Sequence, residues 1–213
     1  MSLTFHFHPL ASFCQKVLIA LYENGTAFES HVVDLGNEAS SSAFKKLWPI
    51  GKMPVLRDEA RDRTVPESSI IIEYLAQHYP GPTPLIPADP ALALRTRLAD
   101  RFYDLYVHDP MQRIVGDRLR PAGKTDPHGV DLAKALLRTA YDMIDTDMAT
   151  RTWAVGEAFT MADCAAAPPL FFANKLVPFS HGHLAAYFER LSKRPSIART
   201  FEEARPYLKF FPG

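Results

Sequence analysis

Three short stretches in the first third of the chain combine residue types that bind and activate small polar molecules. Ser12-Phe13-Cys14-Gln15 opens a run with helical spacing, and Ser12 with Gln15 has the spacing of a capping box. A sulfur held there meets the positive end of a helix and a hydroxyl donor, and both favour thiolate over thiol. A thiol with a reference pKa of about 8.5 must drop by about 1.5 units to be mostly ionised at neutral pH, roughly 2 kcal/mol. A helix terminus and one hydrogen bond to the anion can supply that. Pro66-Glu67-Ser68-Ser69 begins another helix. There the Ser68 hydroxyl and the free N–H groups make an anion site, and Glu67 can hold an ammonium group, so the patch suits the end of an α-amino acid. Gly51-Lys52-Met53-Pro54-Val55-Leu56 puts a proline at the opening of a strand. A cis bond there would turn the Met53 N–H and C=O outward to pair with an extended peptide. Each stretch also has a plainer reading: two helix caps and a trans proline.

The elements that would position these residues follow from periodicity. Residues 3–8 alternate as a strand does, and Ser12 to Asn24 follows with Phe13, Val17, Ala20 and Leu21 at helical spacing. Phe28–Val33 reads as a strand and 40–47 as a short helix. Pro54–Arg57 and Arg63–Val65 read as strands around a charged turn, and Ser68–Tyr79 as a helix. Strands alternating with helices argue for an α/β unit with a mixed sheet over residues 1–80. Tyr79 to Pro90 then holds five prolines and one glycine in twelve residues. That composition makes 81–90 a linker. Residues 91–213 show no strand. Ala91–Leu119 reads as a long helical region bent near Pro110. Val130–Ala149 reads as a helix with Leu132, Leu136, Ala140, Met143 and Ile144 on its apolar face, and Thr160–Leu176 and His183–Arg194 follow.

With these parts in order, the chain resembles the glutathione transferase family, in a bacterial-type, serine/cysteine-like form, over essentially all 213 residues. The resemblance rests on Ser12 to Val17, Gly51 to Leu56, Glu67 to Leu75, and Gly156-Glu157-Ala158-Phe159-Thr160-Met161-Ala162-Asp163. It implies an α/β thioredoxin-like N-terminal domain followed by an all-α helical C-terminal domain. It implies glutathione as co-substrate, no metal, and a homodimer. Pro54 is then expected cis, with the Met53 backbone pairing with the cysteinyl part of glutathione. Glu67 and Ser68 would bind the γ-glutamyl end, and Lys52 would stand near the glycyl carboxylate. The long helix would line the electrophile pocket, with Tyr106 chosen among Phe102, Tyr103, Val107 and Met111. Thr160 and Asp163 form a capping box that serves folding. One departure stands out. The position that usually carries the activating Ser or Cys is Ala11, which has no side-chain donor. Ser12 is the first candidate to take that role, ahead of a backbone N–H, Cys14, or no catalysis at all. The implied reaction is conjugation of the glutathione thiolate to a small hydrophobic electrophile, a detoxification chemistry. A glutathione-dependent isomerase or peroxidase, and a non-catalytic glutathione- or partner-binding protein, are the alternatives.

Composition narrows the setting. The charges sum to zero, 24 basic against 24 acidic residues, which argues against a nucleic-acid partner. The apolar run Ala165–Ala173 is too short to span a bilayer, and the N-terminus lacks a signal pattern. The two cysteines make no CxxC pair, so a reducing, cytoplasmic protein is expected. His6 and His8 share one side of a strand at the spacing of a metal pair, but no third ligand is evident. His181 and His183 read as turn residues. The end, Tyr207 to Phe211, either folds back over the pocket or packs on the surface.

Overall fold

The computed structural model describes residues 2–212. Strand β1 (Leu3–Phe7) buries alternate residues, Leu3, Phe5 and Phe7, as a pleated strand with one face on a core must. It leads through a tight turn into α1 (Ser12–Glu23). Then come β2 (Glu29–Val32), α2 (Glu38–Leu47), β3 (Val55–Asp58), β4 (Arg63–Pro66) and α3 (Ser68–His78). The sheet order is β2-β1-β3-β4. β1 runs parallel to β2 and antiparallel to β3, and β3 is antiparallel to β4. The mixed α/β unit expected from the sequence is present, with strand and helix ends shifted by one or two residues.

From Pro90 onward the described elements are helical: α4 (Pro90–Phe102), a π-helical turn (Tyr103–His108), α5 (Asp109–Arg118), α6 (Pro127–Met148), α7 (Met161–Leu176), α8 (Gly182–Lys193), α9 (Pro195–Ala204) and a 3-10 turn (Arg205–Phe210). α7 is the central helix, packing against α1, α4, α5 and α8. Its start carries the expected reciprocal capping box between Thr160 and Asp163. Asp163 also accepts hydrogen bonds from Ala154 N–H (2.8 Å) and the Tyr187 hydroxyl (2.7 Å). α1 packs on α7 and α9, so the two halves share one continuous apolar core.

One expectation is refined and one corrected here. The long helical region carries a π-helical turn immediately before Pro110. The proline ring would clash with the carbonyl of the residue four positions back, Tyr106. A wide turn relieves this, with the Asp109 N–H bonded to the Asp104 carbonyl, five residues back. On α6 the buried stripe is Ala133, Leu137, Ala140, Tyr141, Ile144 and Met148. Leu132 and Met143 are more than half exposed. Two apolar stripes run along α6 one residue apart, and packing on α5 and α8 selects the second.

Candidate functional site

A cavity of about 680 Å³ opens between the N-terminus of α1 and the helical half. One wall comes from the turn after β1 (His8, Ala11, Ser12, Phe13) and from the segment before β3 (Lys52, Met53). The opposite wall comes from the π-turn and α5, through Leu105, His108, Met111, Gln112 and Val115. Phe172 of α7 lies at the back, and Phe210 to Pro212 close one side. The C-terminal segment therefore folds back over the cavity. Phe211 packs its ring 4.9 Å from Phe172, and Arg118 donates to the Pro212 carbonyl at 2.7 Å.

The start of α1 differs from the expected capping box. The Ala11 N–H closes on the His8 carbonyl at 3.0 Å. That tight turn makes Ala11 the half-in residue, with extended backbone (φ −80°, ψ 119°), and Ser12 the first helical one. No side chain caps α1, and Gln15 Nε2 donates instead to the Pro9 carbonyl at 2.8 Å. The Cys14 N–H bonds back to the Ala11 carbonyl at 2.9 Å, which leaves the Ser12 and Phe13 N–H groups as the donors at the helix start. Ser12 itself is 8% exposed and borders the cavity. Cys14, two residues on, points away into the core, and burial pushes its thiol up to about 12. That removes Cys14 from the candidates for activating a bound sulfur.

Met53-Pro54 is a cis peptide bond. The antiparallel pairing of Val55 with Pro66 sets this bond beside the residues that follow β4, Glu67 and Ser68. Glu67 holds a left-handed φ of +69° as the residue before α3. Such a backbone costs on the order of 1–3 kcal/mol for a residue with a Cβ. Its side chain is exposed and caps nothing, and Ser68 is the first helical residue, not the cap. The correction has the same cause as at α1: the turn starts the helix one residue early. The free N–H groups of the first turn of α3 remain. Lys52, Met53, Pro54, Glu67, Ser68 and Ser12 thus fall along one rim of the fold, though Pro54, Glu67 and Ser68 do not line the cavity itself.

Tyr106 is not part of this site. Adjacent helical residues diverge by about 100°, so Leu105 and His108 face the cavity while Tyr106 turns toward a second one of about 410 Å³, with Phe102, Tyr103 and Met143. Of the residues named from the long helix, Met111 alone lines the cavity beside Ser12, and Val107 is buried in the core.

Several site residues were not legible in advance. His108 packs its ring 4.0 Å from Phe13. Burial, reinforced by the nearby Lys16 charge and opposed by Asp109, lowers its pKa to about 4, so it is a neutral imidazole near pH 7. The four-residue spacing of His108 and Gln112 was the available signal. Lys16 is buried beneath the site. Its Nζ contacts Asp100 Oδ1 (2.6 Å), Asp104 Oδ2 (3.0 Å) and Ser69 Oγ (2.9 Å). This cluster joins α1, α3, α4 and the π-turn, and of these α1 and the π-turn carry cavity-lining residues such as Ser12 and His108. Burial raises the Asp104 pKa, and the Lys16 charge opposes that rise. His6 does not pair with His8. It packs 4.6 Å from His31 of β2, while His8 packs on Tyr207. Burial, then the His31 charge, bring the His6 pKa down to about 4. Among the described residues, no group of three or more His, Cys, Asp or Glu side chains is arranged to hold a metal ion. None of the described helices is long and apolar enough to cross a membrane.

Comparisons with known proteins agree with this architecture. Residues 5–83 match the family profile described as Glutathione S-transferase, N-terminal domain, and residues 102–195 match Glutathione S-transferase, C-terminal domain. A stringent starvation protein A homolog from Pasteurella multocida is 31% identical over 202 residues, covering 91% of this chain and 87% of that protein. The chloroplastic glutathione S-transferase DHAR3 of Arabidopsis thaliana is 26% identical over 199 residues, 90% of this chain and 69% of that protein. In structure, the glutathione transferase URE2P8 of Phanerochaete chrysosporium, solved with oxidized glutathione, superposes with a TM-score of 0.86 at 23% identity. That match covers 98% of this chain and 97% of the other.

Proposed function

The chain belongs to the glutathione S-transferase family, and from that premise we propose that it binds glutathione along the rim from α1 to α3 and presents its sulfur, as thiolate, to a small apolar electrophile. The observation that carries the reading is the convergence of the helix start at Ser12 and Phe13 with an apolar wall of Met111, Val115 and Phe172 around one cavity. In this reading residues 1–80 hold glutathione and residues 91–213, reached through the linker 81–90, hold the electrophile. The cis Met53-Pro54 edge pairs with the cysteinyl backbone. The first turn of α3 at Ser68 takes the γ-glutamyl carboxylate, Glu67 takes its ammonium, and Lys52 attracts the glycyl carboxylate. Ser12 and the first N–H groups of α1 hold the thiolate as donors already in place at the helix start. Positioning both reactants in one cavity lowers the entropic cost of their encounter. The thiolate sulfur bonds to the electrophilic carbon, which either releases a leaving group with its bonding pair or, in an addition, passes its π pair to a neighbouring atom that then takes a proton from solvent. Exposed Leu94, Leu98, Leu132 and Met143 give the helical half an apolar surface suited to a homodimer. Two buried free cysteines suit a cytoplasmic setting.

A second reading, binding without turnover, is supported by Ala11, which leaves the usual activating position without a side-chain donor. One experiment separates the two. An ultraviolet difference spectrum of the protein with glutathione, titrated against pH, should show a thiolate band well below the free-thiol pKa. Binding without such a band favours the second reading, and no binding removes both.

A further inference from the structure

We propose that His8 supplies the side-chain donor that Ala11 lacks, its Nε2–H hydrogen-bonding the sulfur of a thiol held at the start of α1. The inference rests on the reading of this cavity as a glutathione site. His8 directly follows β1 and borders the cavity together with Ala11, Ser12 and Met53. Its carbonyl accepts the Ala11 N–H at 3.0 Å, which ties its backbone to the turn that opens α1.

The ring is oriented on two sides. The Leu10 N–H donates to Nδ1 at 3.2 Å. A neutral imidazole whose Nδ1 accepts must carry its proton on Nε2. Tyr207, from the C-terminal 3-10 turn, packs edge-on with ring centroids 5.0 Å apart. Burial holds the imidazole below its ordinary pKa, and Asp34 across the turn pulls the other way. Near pH 7 the group is therefore a neutral donor. It cannot accept the thiol proton at Nε2, because that nitrogen already bears one. The thiol proton leaves to solvent, and His8 stabilises the thiolate that remains, together with the donors of Ser12 and the α1 terminus.

Two kinds of substitution separate this role from packing. His8→Phe keeps an aromatic ring against Tyr207 and removes the donor, as does the smaller His8→Ala. His8→Gln keeps an N–H donor of similar reach. In the difference spectrum with glutathione, His8→Phe or His8→Ala, whichever is folded by circular dichroism, should raise the pH of thiolate appearance by about one unit, a tenfold loss of thiolate near neutrality. Affinity for S-methylglutathione, which has no thiol to ionise, should stay unchanged. His8→Gln should recover much of the shift. A donor-free variant that binds glutathione and titrates as the unaltered protein does would overturn the role of His8 and leave the glutathione site standing. An unaltered protein that binds no glutathione would overturn the site and this role together.

Discussion

Lys16 and Asp100 are separated by most of the sheet-bearing half of the chain, yet Lys16 Nζ lies 2.6 Å from Asp100 Oδ1, and both side chains are 2% exposed. Ser69 Oγ completes the contact by donating to Asp100 Oδ2 at 2.7 Å. The ion pair is therefore also the junction between α1, α3 and α4.

Removing one partner should be far more harmful than removing all. Lys16→Met leaves Asp100 and Asp104 buried without their cation and should cost about 3–5 kcal/mol. Replacing Lys16, Asp100 and Asp104 together by Met and Leu should recover most of that loss. Urea denaturation midpoints measure both. Equal losses in the single and triple variants would show that the cluster is not an isolated charge-pairing unit.

Ser12 borders the cavity at the first position of α1. Ser12→Ala should raise the pH at which the glutathione thiolate forms by about one unit and lower kcat roughly tenfold. Unchanged spectra and kcat would transfer the activating role to the backbone N–H groups and His8.

The electrophile wall can be mapped with an apolar fluorescent probe such as anilinonaphthalene sulfonate. Met111→Ala should weaken probe binding that S-hexylglutathione displaces, by about fivefold if its buried methylenes contact the probe. Tyr106→Ala, which alters the second cavity, should leave that displaceable binding unchanged. The reverse pattern would assign the apolar site to the Tyr106 side.

Cys14 and Cys164 are both fully buried, and burial raises both thiols, Cys14 to about 12. Thiolate is the reactive form. Neither cysteine should react with a disulfide reagent in the native protein at pH 7.5, and both should react in guanidinium. A fast native reaction would place one of them at an accessible site.

Glu23 accepts from Arg194 Nε at 2.8 Å and from Ser196 Oγ at 2.7 Å, joining the end of α1 to the start of α9. Burial acts to raise its pKa, but the Arg194 and Ser196 contacts outweigh it and the net shift is downward. A carboxyl with a depressed folded pKa adds stability that is complete above its unfolded pKa of about 4.3 and is lost as pH falls through the folded value. Melting temperatures should therefore fall on acidification below about pH 4.3, and Glu23→Gln should be less stable at pH 7 with a shallower acid-side decline. An unchanged acid slope in Glu23→Gln would assign the decline to other carboxyls.

Local pattern determined much of this protein. The alternation of Leu3, Phe5 and Phe7, the proline-dense stretch before Pro90, and the Thr160–Asp163 box fixed a mixed α/β unit, its joint and a capped central helix. These are short-range features, because strand pleat, helix spacing and cap geometry are set within a few residues. Ser12 and Met53, singled out from their motifs, and Lys52, singled out from the family resemblance, all border the cavity. Tertiary packing decided the rest. Whether Leu136 or Leu137 faces inward on α6 depends on the helices against it, not on its own periodicity. The π-turn ahead of Pro110 rotates Tyr106 away from the cavity and brings His108 in. Lys16 reads as a surface charge until Asp100 and Asp104, from the far half of the chain, fold over it. His8 becomes a directed donor when the Leu10 N–H and Tyr207 fix its ring. Each of these depends on contacts between segments far apart in sequence, or on the turn a segment takes, and residue spacing does not encode them.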